Sequence, residues 1–423
     1  MTFPIDAVRS RFPALAVTDH GRPRIYFDAP GGTQVCSEAI EAMRRHLIEG
    51  TANAGGAFAT SRAVDTLSRD AHRAVADLIG ADPDEVAFGP NMTSLTFAVS
   101  RALAREWEKG DELVLTRLDH DANVSPWLAV AEDRDLTVRW IDLDPASGRL
   151  KLNALADMLS PRTKLVAIGG ASNALGTIAD LDEVVRTVRE NSSALVYVDA
   201  VQLAPHVMLD VEALGCDLLA FSPYKLFGPH AGVLWCRRNL AEGLHAYKVR
   251  PAGSQSARRF ETGTPSFEAQ AGVIGMVDYI DWLGSTVSPG LDTRRERLCA
   301  AFTACVAYEA ELGLRLLDGL ARFNSVRLYG PGDMKDRVPT FAFTVEGHSP
   351  AAVIKHLAGH GIFAWAGHFY AVETITRLGL EKAGGLVRVG LCHYNAREEV
   401  DRFILAMAEL LSIIVTHPVG AAN

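Results

Sequence analysis

Asp199, Gln202 and Lys225 are the residues of this chain whose types and spacing most directly suggest chemistry. They lie in YVDAVQLAPHVMLDVEALGCDLLAFSPYKLFGP, Tyr197 to Pro229. Leu195–Val198 is an apolar run ending on Asp199, and Asp217–Phe221 is a second run closed by Ser222-Pro-Tyr224-Lys225. Short apolar runs of this kind read as buried parallel strands. The aspartate and the lysine are therefore expected at the carboxyl ends of neighbouring strands, where open α/β sheets bind their ligands. A lysine there beside an acid suits an imine with pyridoxal 5'-phosphate (PLP), whose ring nitrogen takes an acidic partner. A surface lysine after a turn and a helix-capping aspartate fit the same stretch, and the choice falls to the rest of the chain.

Three more stretches point at the same rim. Glu85–Phe88 reads as a strand, followed by Gly-Pro-Asn-Met-Thr93-Ser94-Leu-Thr96 and a helix over Phe97–Arg105. Free N–H groups, the helix dipole and two hydroxyls converge there as in a phosphate cradle, although capping by Thr93 or Ser94 needs no ligand. The strand Glu112–Leu115 leads into Arg117-Leu-Asp119-His120-Asp121-Ala-Asn123. His120 can stack on a flat cofactor and titrate near neutrality, or sit solvated in the loop. The strand Lys164–Ile168 runs into a turn that aims the amide of Asn173 the same way.

The elements that position these residues are legible from length and pattern. At 423 residues the chain exceeds one typical domain. Strands and helices alternate from about Ile25 to Trp282, the pattern of a doubly wound, mostly parallel sheet. Helices are expected at Ile5–Arg11, Glu38–Glu49, Arg62–Ile79 and Leu181–Arg189, with Leu136–Ile141 a further strand and Gly232–Cys236 an antiparallel return strand. Arg250–Ser266 reads as a long polar loop, of a length that is usually functional. Long helices follow over Phe267–Leu283 and Gly290–Leu312, then strands Val326–Tyr329 and Thr340–Val345. The helix Ala351–His360, a loop or strand region Gly361–Val372, the strand Leu386–Leu391 and the helix Glu398–Ile414 complete a smaller α+β unit. The expected division is an N-terminal segment, 1–23, packing with the small domain, a large domain, 24–288, and a small C-terminal domain, 289–423.

Composition excludes several function classes. A net charge of −9 and a pI near 5.8 argue against a nucleic-acid partner. No apolar run approaches the roughly 18 residues of a membrane helix, and the start shows no signal-peptide pattern. Six scattered cysteines (36, 216, 236, 299, 305, 392) form no CxxC or Cys/His spacing, so neither zinc nor a disulfide framework is expected. A reducing cytoplasm is the expected compartment.

VDAVQ, FSPYKLFGP, LDHDANVSPW, SNALGT, RFETGTPS and VRVGLCHYNAREEVDRF together resemble the class V aminotransferase group of fold type I PLP enzymes, most closely cysteine desulfurases of the SufS-like branch. The resemblance spans nearly the whole chain. It implies that Lys225 holds PLP and later moves the Cα proton, that Asp199 pairs with the ring nitrogen, and that Gln202 bonds the phenolic oxygen. It places His120 over the ring, with Thr93, Ser222, Tyr224 and, as a helper, Ser94 around the phosphate. Thr264 would reach the phosphate of the other subunit, which implies a homodimer. Asn173 would lie beside the cofactor and, with Arg388, hold the substrate carboxylate; a surface ion pair is the plainer role for that arginine.

Departures from that pattern bear on the reaction. A desulfurase of this branch carries its persulfide-forming cysteine in a loop corresponding to Ala366-Gly367-His368-Phe369-Tyr370, so tyrosine stands at the nucleophile position. Trp365 replaces an expected arginine, Gly55-Gly56 a His-Arg pair, and Tyr224 a histidine before the lysine. A phenol accepts no sulfur. The expectation is a PLP enzyme acting on a small amino acid by β-elimination at Cβ–S or a similar bond, with His368 or Tyr370 protonating the leaving group. Transamination and epimerisation are alternatives within the same group, and a non-catalytic dimeric partner is a third reading.

Overall fold

The computed structural model describes residues 3–411. The apolar runs pair into a seven-stranded sheet. Its strands are β1 (Val86–Gly89), β2 (Glu112–Thr116), β3 (Thr137–Ile141), β4 (Thr163–Gly169), β5 (Leu195–Asp199), β6 (Leu218–Phe221) and β7 (Gly232–Cys236), in the order β1-β7-β6-β5-β4-β2-β3. β2 to β6 are parallel, and β7 runs antiparallel to both β6 and β1. The central strands are apolar because both faces are covered: Val196 and Val198 of β5 enter one buried cluster, and Tyr197 enters the cluster on the opposite face. The edge strand β3, with Thr137 and Arg139 exposed, is not apolar throughout.

Helix α1 (Met92–Leu103) leaves β1, and α2 (Phe267–Val287) and α3 (Arg294–Leu320) follow the sheet. A capping box between Thr293 and Glu296 sets the start of α3. A second, antiparallel sheet comprises β8 (Val326–Tyr329), β9 (Thr340–Val345), β10 (Trp365–Gly367) and β11 (Leu386–Gly390), in the order β8-β9-β11-β10. On β11, Val387 and Val389 pack toward Leu312 and Leu316 of α3. The other face, through Leu386 and Ala342, packs on Leu118 and Leu175. Those two leucines follow β2 and β4, so the second sheet lies over the carboxyl ends of the first. The N-terminal segment contacts both halves, Phe3 stacking on Tyr308 of α3 and Phe12 packing on Phe227 and Tyr279, and just beyond it Ile25–Tyr26 pairs with Ile362–Phe363.

Several boundaries differ from the sequence reading. α1 begins at Met92 rather than Phe97, and α3 spans Arg294–Leu320 rather than Gly290–Leu312. The stretch Arg250–Ser266 carries a 3-10 turn at Ser256–Phe260 that buries Ala257 and Phe260. A helix over Ser125–Arg134, with Trp127 and Val130 buried, has no counterpart in that reading. The helix expected to Ile414 is seen as Arg397–Leu410, and positions 412–414 lie outside the described residues. Among the described residues no helix is long and apolar enough to cross a membrane, and no cluster of three or more His, Cys, Asp or Glu is built to hold a metal.

Candidate active site

A cavity of about 790 Å³ opens where the second sheet faces the carboxyl ends of β2, β4 and β6. Lys225, His120, Asn173 and Arg388 line it, as do Thr93, Tyr224, His368 and Tyr370. The fold thus gathers eight candidate residues from β1 through β11 into one space.

The acid and the lysine come together because β5 and β6 are parallel neighbours, with Asp199 in register with Ala220. Both side chains are buried. Burial pushes the Lys225 ammonium down to about 7, the Arg388 cation adds to the fall, and Asp199 opposes it. Burial likewise raises the Asp199 carboxyl to about 6, against a hydrogen bond from the Val201 N–H (2.9 Å) and the attraction of Lys225. The Pro30 carbonyl accepts from the Lys225 amine and from Gln202 Nε2 (2.7 Å), so Gln202 sits beside the lysine although it does not line the cavity.

His120 is held neutral. Burial first, then the cations Lys225 and Arg388, push its imidazole down to about 3. Its Nδ1 accepts the Ala122 N–H at 3.0 Å, so the neutral ring carries its proton on Nε2. Asp119 fixes the loop: its Oδ1 accepts from Thr116 Oγ1 (2.7 Å) and the Gly169 N–H (2.9 Å), and its Oδ2 from Asn123 Nδ2 (2.7 Å).

Arg388 projects from β11 toward the large sheet, with Nη1 donating to the Asn173 carbonyl at 2.8 Å. The Phe369 ring lies 4.2 Å from the guanidinium carbon. Buried Arg388 Nε and Asn173 Oδ1 have no partner among the described residues. Unsatisfied buried polar atoms are rare in folded chains, and these two, facing one cavity, fit a planar anion held on the guanidinium edge. Asn173 Nδ2 meanwhile donates to the Phe369 carbonyl at 2.7 Å.

At the other end, Asn91 caps α1, its Oδ1 accepting the Ser94 N–H at 2.8 Å. Neither Thr93 nor Ser94 is the cap, which corrects the capping alternative for those residues. The Thr93 hydroxyl touches only Met92 Sδ, at 3.8 Å, and faces the cavity. Ser222 Oγ accepts the Met92 N–H at 3.0 Å and so docks the helix start beside the lysine strand, with its own proton free to donate. Ser94 is exposed and Thr264 lies exposed on its loop; neither reaches this chain's cavity. Tyr224 stacks on His230 with ring centroids 4.6 Å apart. A lysine, a ring-nitrogen acid, a helix start with spare donors and an anion-binding arginine around one cavity fit PLP.

The loop of His368, Phe369 and Tyr370 packs against His120: the Tyr370 ring stacks on it, centroids 5.5 Å apart, and the Asp121 N–H donates to the Tyr370 carbonyl at 2.7 Å. Phe369 and Tyr370 hold φ of 54° and 58°, a left-handed conformation that costs bulky residues energy. No cysteine lines the cavity. Cys36, Cys216, Cys236, Cys305 and Cys392 are buried, with thiols raised chiefly by burial. Gly55 and Gly56 do not line it either; their amides bond Asp65 and Ser61. Sequence reasoning passed over Asp28, whose carboxyl is raised to about 6 by burial while Arg388 lowers it, and whose Oδ1 is unpartnered. The signal was present: Ile25-Tyr-Phe-Asp28 is an apolar run ending on an acid, like the run before Asp199.

Residues 25–403 match the family described as aminotransferase class-V. The aminotransferase-like protein FGM3 of Gibberella zeae is 33% identical over 97% of this chain and 99% of its own length. A cysteine desulfurase of Serratia proteamaculans is 29% identical, covering 98% and 100%. The structure of a cysteine desulfurase from Thermococcus onnurineus superposes with a TM-score of 0.86 at 27% identity, over 97% of this chain and 99% of that one.

Proposed function

The chain belongs to the class-V aminotransferase family and is a PLP-dependent enzyme of the cysteine desulfurase-like kind; on that premise we propose a lyase that eliminates a group from Cβ of an amino acid. PLP supplies an electron sink for the pair left at Cα. This chain's residues supply the rest. Lys225 would hold the cofactor and, once displaced by the substrate amine, take the Cα proton, the electron pair left behind expelling the Cβ group. Asp199 would keep the ring nitrogen protonated, with Gln202 at the phenolic oxygen and His120 over the ring. Thr93, Ser222 and Tyr224 would take the phosphate, with Ser94 at the same helix start. Arg388 and Asn173 would fix the substrate carboxylate and so orient the Cα–H bond, and His368 would protonate the leaving group.

One observation carries the choice of elimination. Lys225 and Arg388 line the cavity and no cysteine does, and the resemblance puts Tyr370 at the position of the sulfur acceptor. Cβ elimination needs no acceptor on the protein. We also take the enzyme to be a cytoplasmic homodimer whose Thr264 completes the partner's phosphate site, with the small domain built on β8–β11. The test is absorbance of the purified protein with PLP, then turnover of L-cysteine and of other amino acids with a Cβ leaving group. A visible band lost in Lys225→Ala, with pyruvate and free sulfide formed and no protein-bound sulfur, is expected. Protein-bound sulfur, or conversion of the cofactor to its amine form without elimination, overturns the lyase reading.

A further inference from the structure

Lys225 and Arg388 account for the cofactor and carboxylate ends of the cavity, and the remaining wall has a different character. Three aromatic side chains there expose large surfaces: Phe97 37%, Trp365 52% and Tyr370 66%. Gathered at one cavity, they form an apolar patch of the kind that marks binding sites. Trp365 is paired with Arg388 across β10 and β11. Cross-strand partners stand on the same sheet face, so the indole lies directly beside the carboxylate-binding guanidinium. Its edge also meets Gly31, where an added Cβ would fall 2.8 Å from Nε1.

The same wall holds a carboxylate. Asp121 lines the cavity half-buried, tied by its N–H to the Tyr370 carbonyl at 2.7 Å. Ser125 Oγ donates to its Oδ2 at 2.6 Å. Asp121 makes no ion pair among the described residues, and no other acid lines this cavity. A carboxylate without a counter-ion beside an open indole and the remaining face of the phenol is the chemistry that receives a cation: the acid supplies charge, and the rings their negative faces.

We propose that the amino acid accepted here carries a cation, an ammonium or guanidinium, at the far end of its side chain, received by Asp121 between Trp365, Tyr370 and Phe97. This rests on the lyase reading for the α-carboxylate end and extends it to the side chain. An arginine at position 365 would place a second positive charge beside Arg388 and repel such a substrate. Tryptophan there removes that charge and adds a face.

The test compares L-arginine and L-lysine with their neutral counterparts L-citrulline and L-norleucine. Binding to the PLP-loaded protein is read by calorimetry, which needs no chromophore, and by the shift of the cofactor's visible band. The cations are expected to bind at least about tenfold more tightly than their neutral counterparts. Asp121→Asn and Trp365→Arg should each shrink that ratio to about twofold by weakening the cations alone. Equal binding in the unaltered protein, or variants that weaken all four ligands alike, overturns the proposal. A missing visible band with the calorimetric preference intact would instead sink the cofactor reading and leave this one standing.

Discussion

At Lys225 two opposing fields meet. Burial and Arg388 favour the neutral amine, Asp199 favours the ammonium, and the balance falls at about 7 instead of the ordinary 10.5. Only the neutral amine attacks an aldehyde, so cofactor capture by the apoprotein should speed up as pH rises through about 7 and then level off. Removing the acid removes the influence that holds the value up, so Asp199→Asn should move the midpoint lower. Rates of band growth across a pH series check both, and a midpoint near 10 would contradict the burial argument. The two loop residues offered as general acid differ in their contacts. Tyr370 spends a ring face on His120, and its side chain is largely exposed. His368 Nδ1 accepts the Tyr370 N–H at 3.0 Å, which fixes the ring and leaves Nε2–H to donate. His368→Gln should therefore lower kcat by about 10²-fold or more, while Tyr370→Phe changes it by less than about tenfold. Steady-state kinetics of elimination decide, and the reverse ranking would move the role to the phenol.

Among elements, the loop after β2 depends on one acid. Asp119 accepts three hydrogen bonds that join β2, β4 and the His120 turn, and burial with Asp199 nearby raises its carboxyl to about 7 against those donors. Asp119→Asn turns one acceptor into a donor facing an N–H or a hydroxyl, so a loss of about 1–3 kcal/mol is expected, measured by denaturant unfolding. A change under ~0.5 kcal/mol would mean the loop is held by other contacts. The central strands were legible because burial on both faces writes apolar runs, and the rim acids and lysine follow those runs. The start of α1 was not, since Asn91-Met-Thr-Ser94 is polar and the helix is set there by a cap rather than by apolar period. The single turn at Ser256–Phe260 is too short to show a period at all. Ser125–Arg134 starts after Val124, with no side-chain cap to announce it. Trp365 beside Arg388 depends on β10–β11 register, a long-range pairing that local pattern does not encode.

For the whole molecule, the question is what the chain's own cavity lacks. Thr264 stands exposed on a loop and contributes nothing to that cavity. Leu47 and Ile48 on one helix and Tyr247 and Val249 before the loop are also exposed, at 54–66%. If two chains pair so that each Thr264 reaches the other's cofactor phosphate, losing that hydroxyl removes a hydrogen bond to a charged group, worth about 1.5–3 kcal/mol. Thr264→Ala should then weaken PLP binding by about 10–100-fold without altering Lys225. Mixing separates this from a local defect. In a dimer of one Thr264→Ala chain and one Lys225→Ala chain, the cavity with an intact lysine faces an intact Thr264 from its partner. Its cofactor affinity should return to that of the unaltered protein, read by the visible band during titration. Size-exclusion chromatography should give a dimer throughout. A monomer in solution, or a Thr264→Ala defect that persists in the mixed dimer, would confine the site to a single chain.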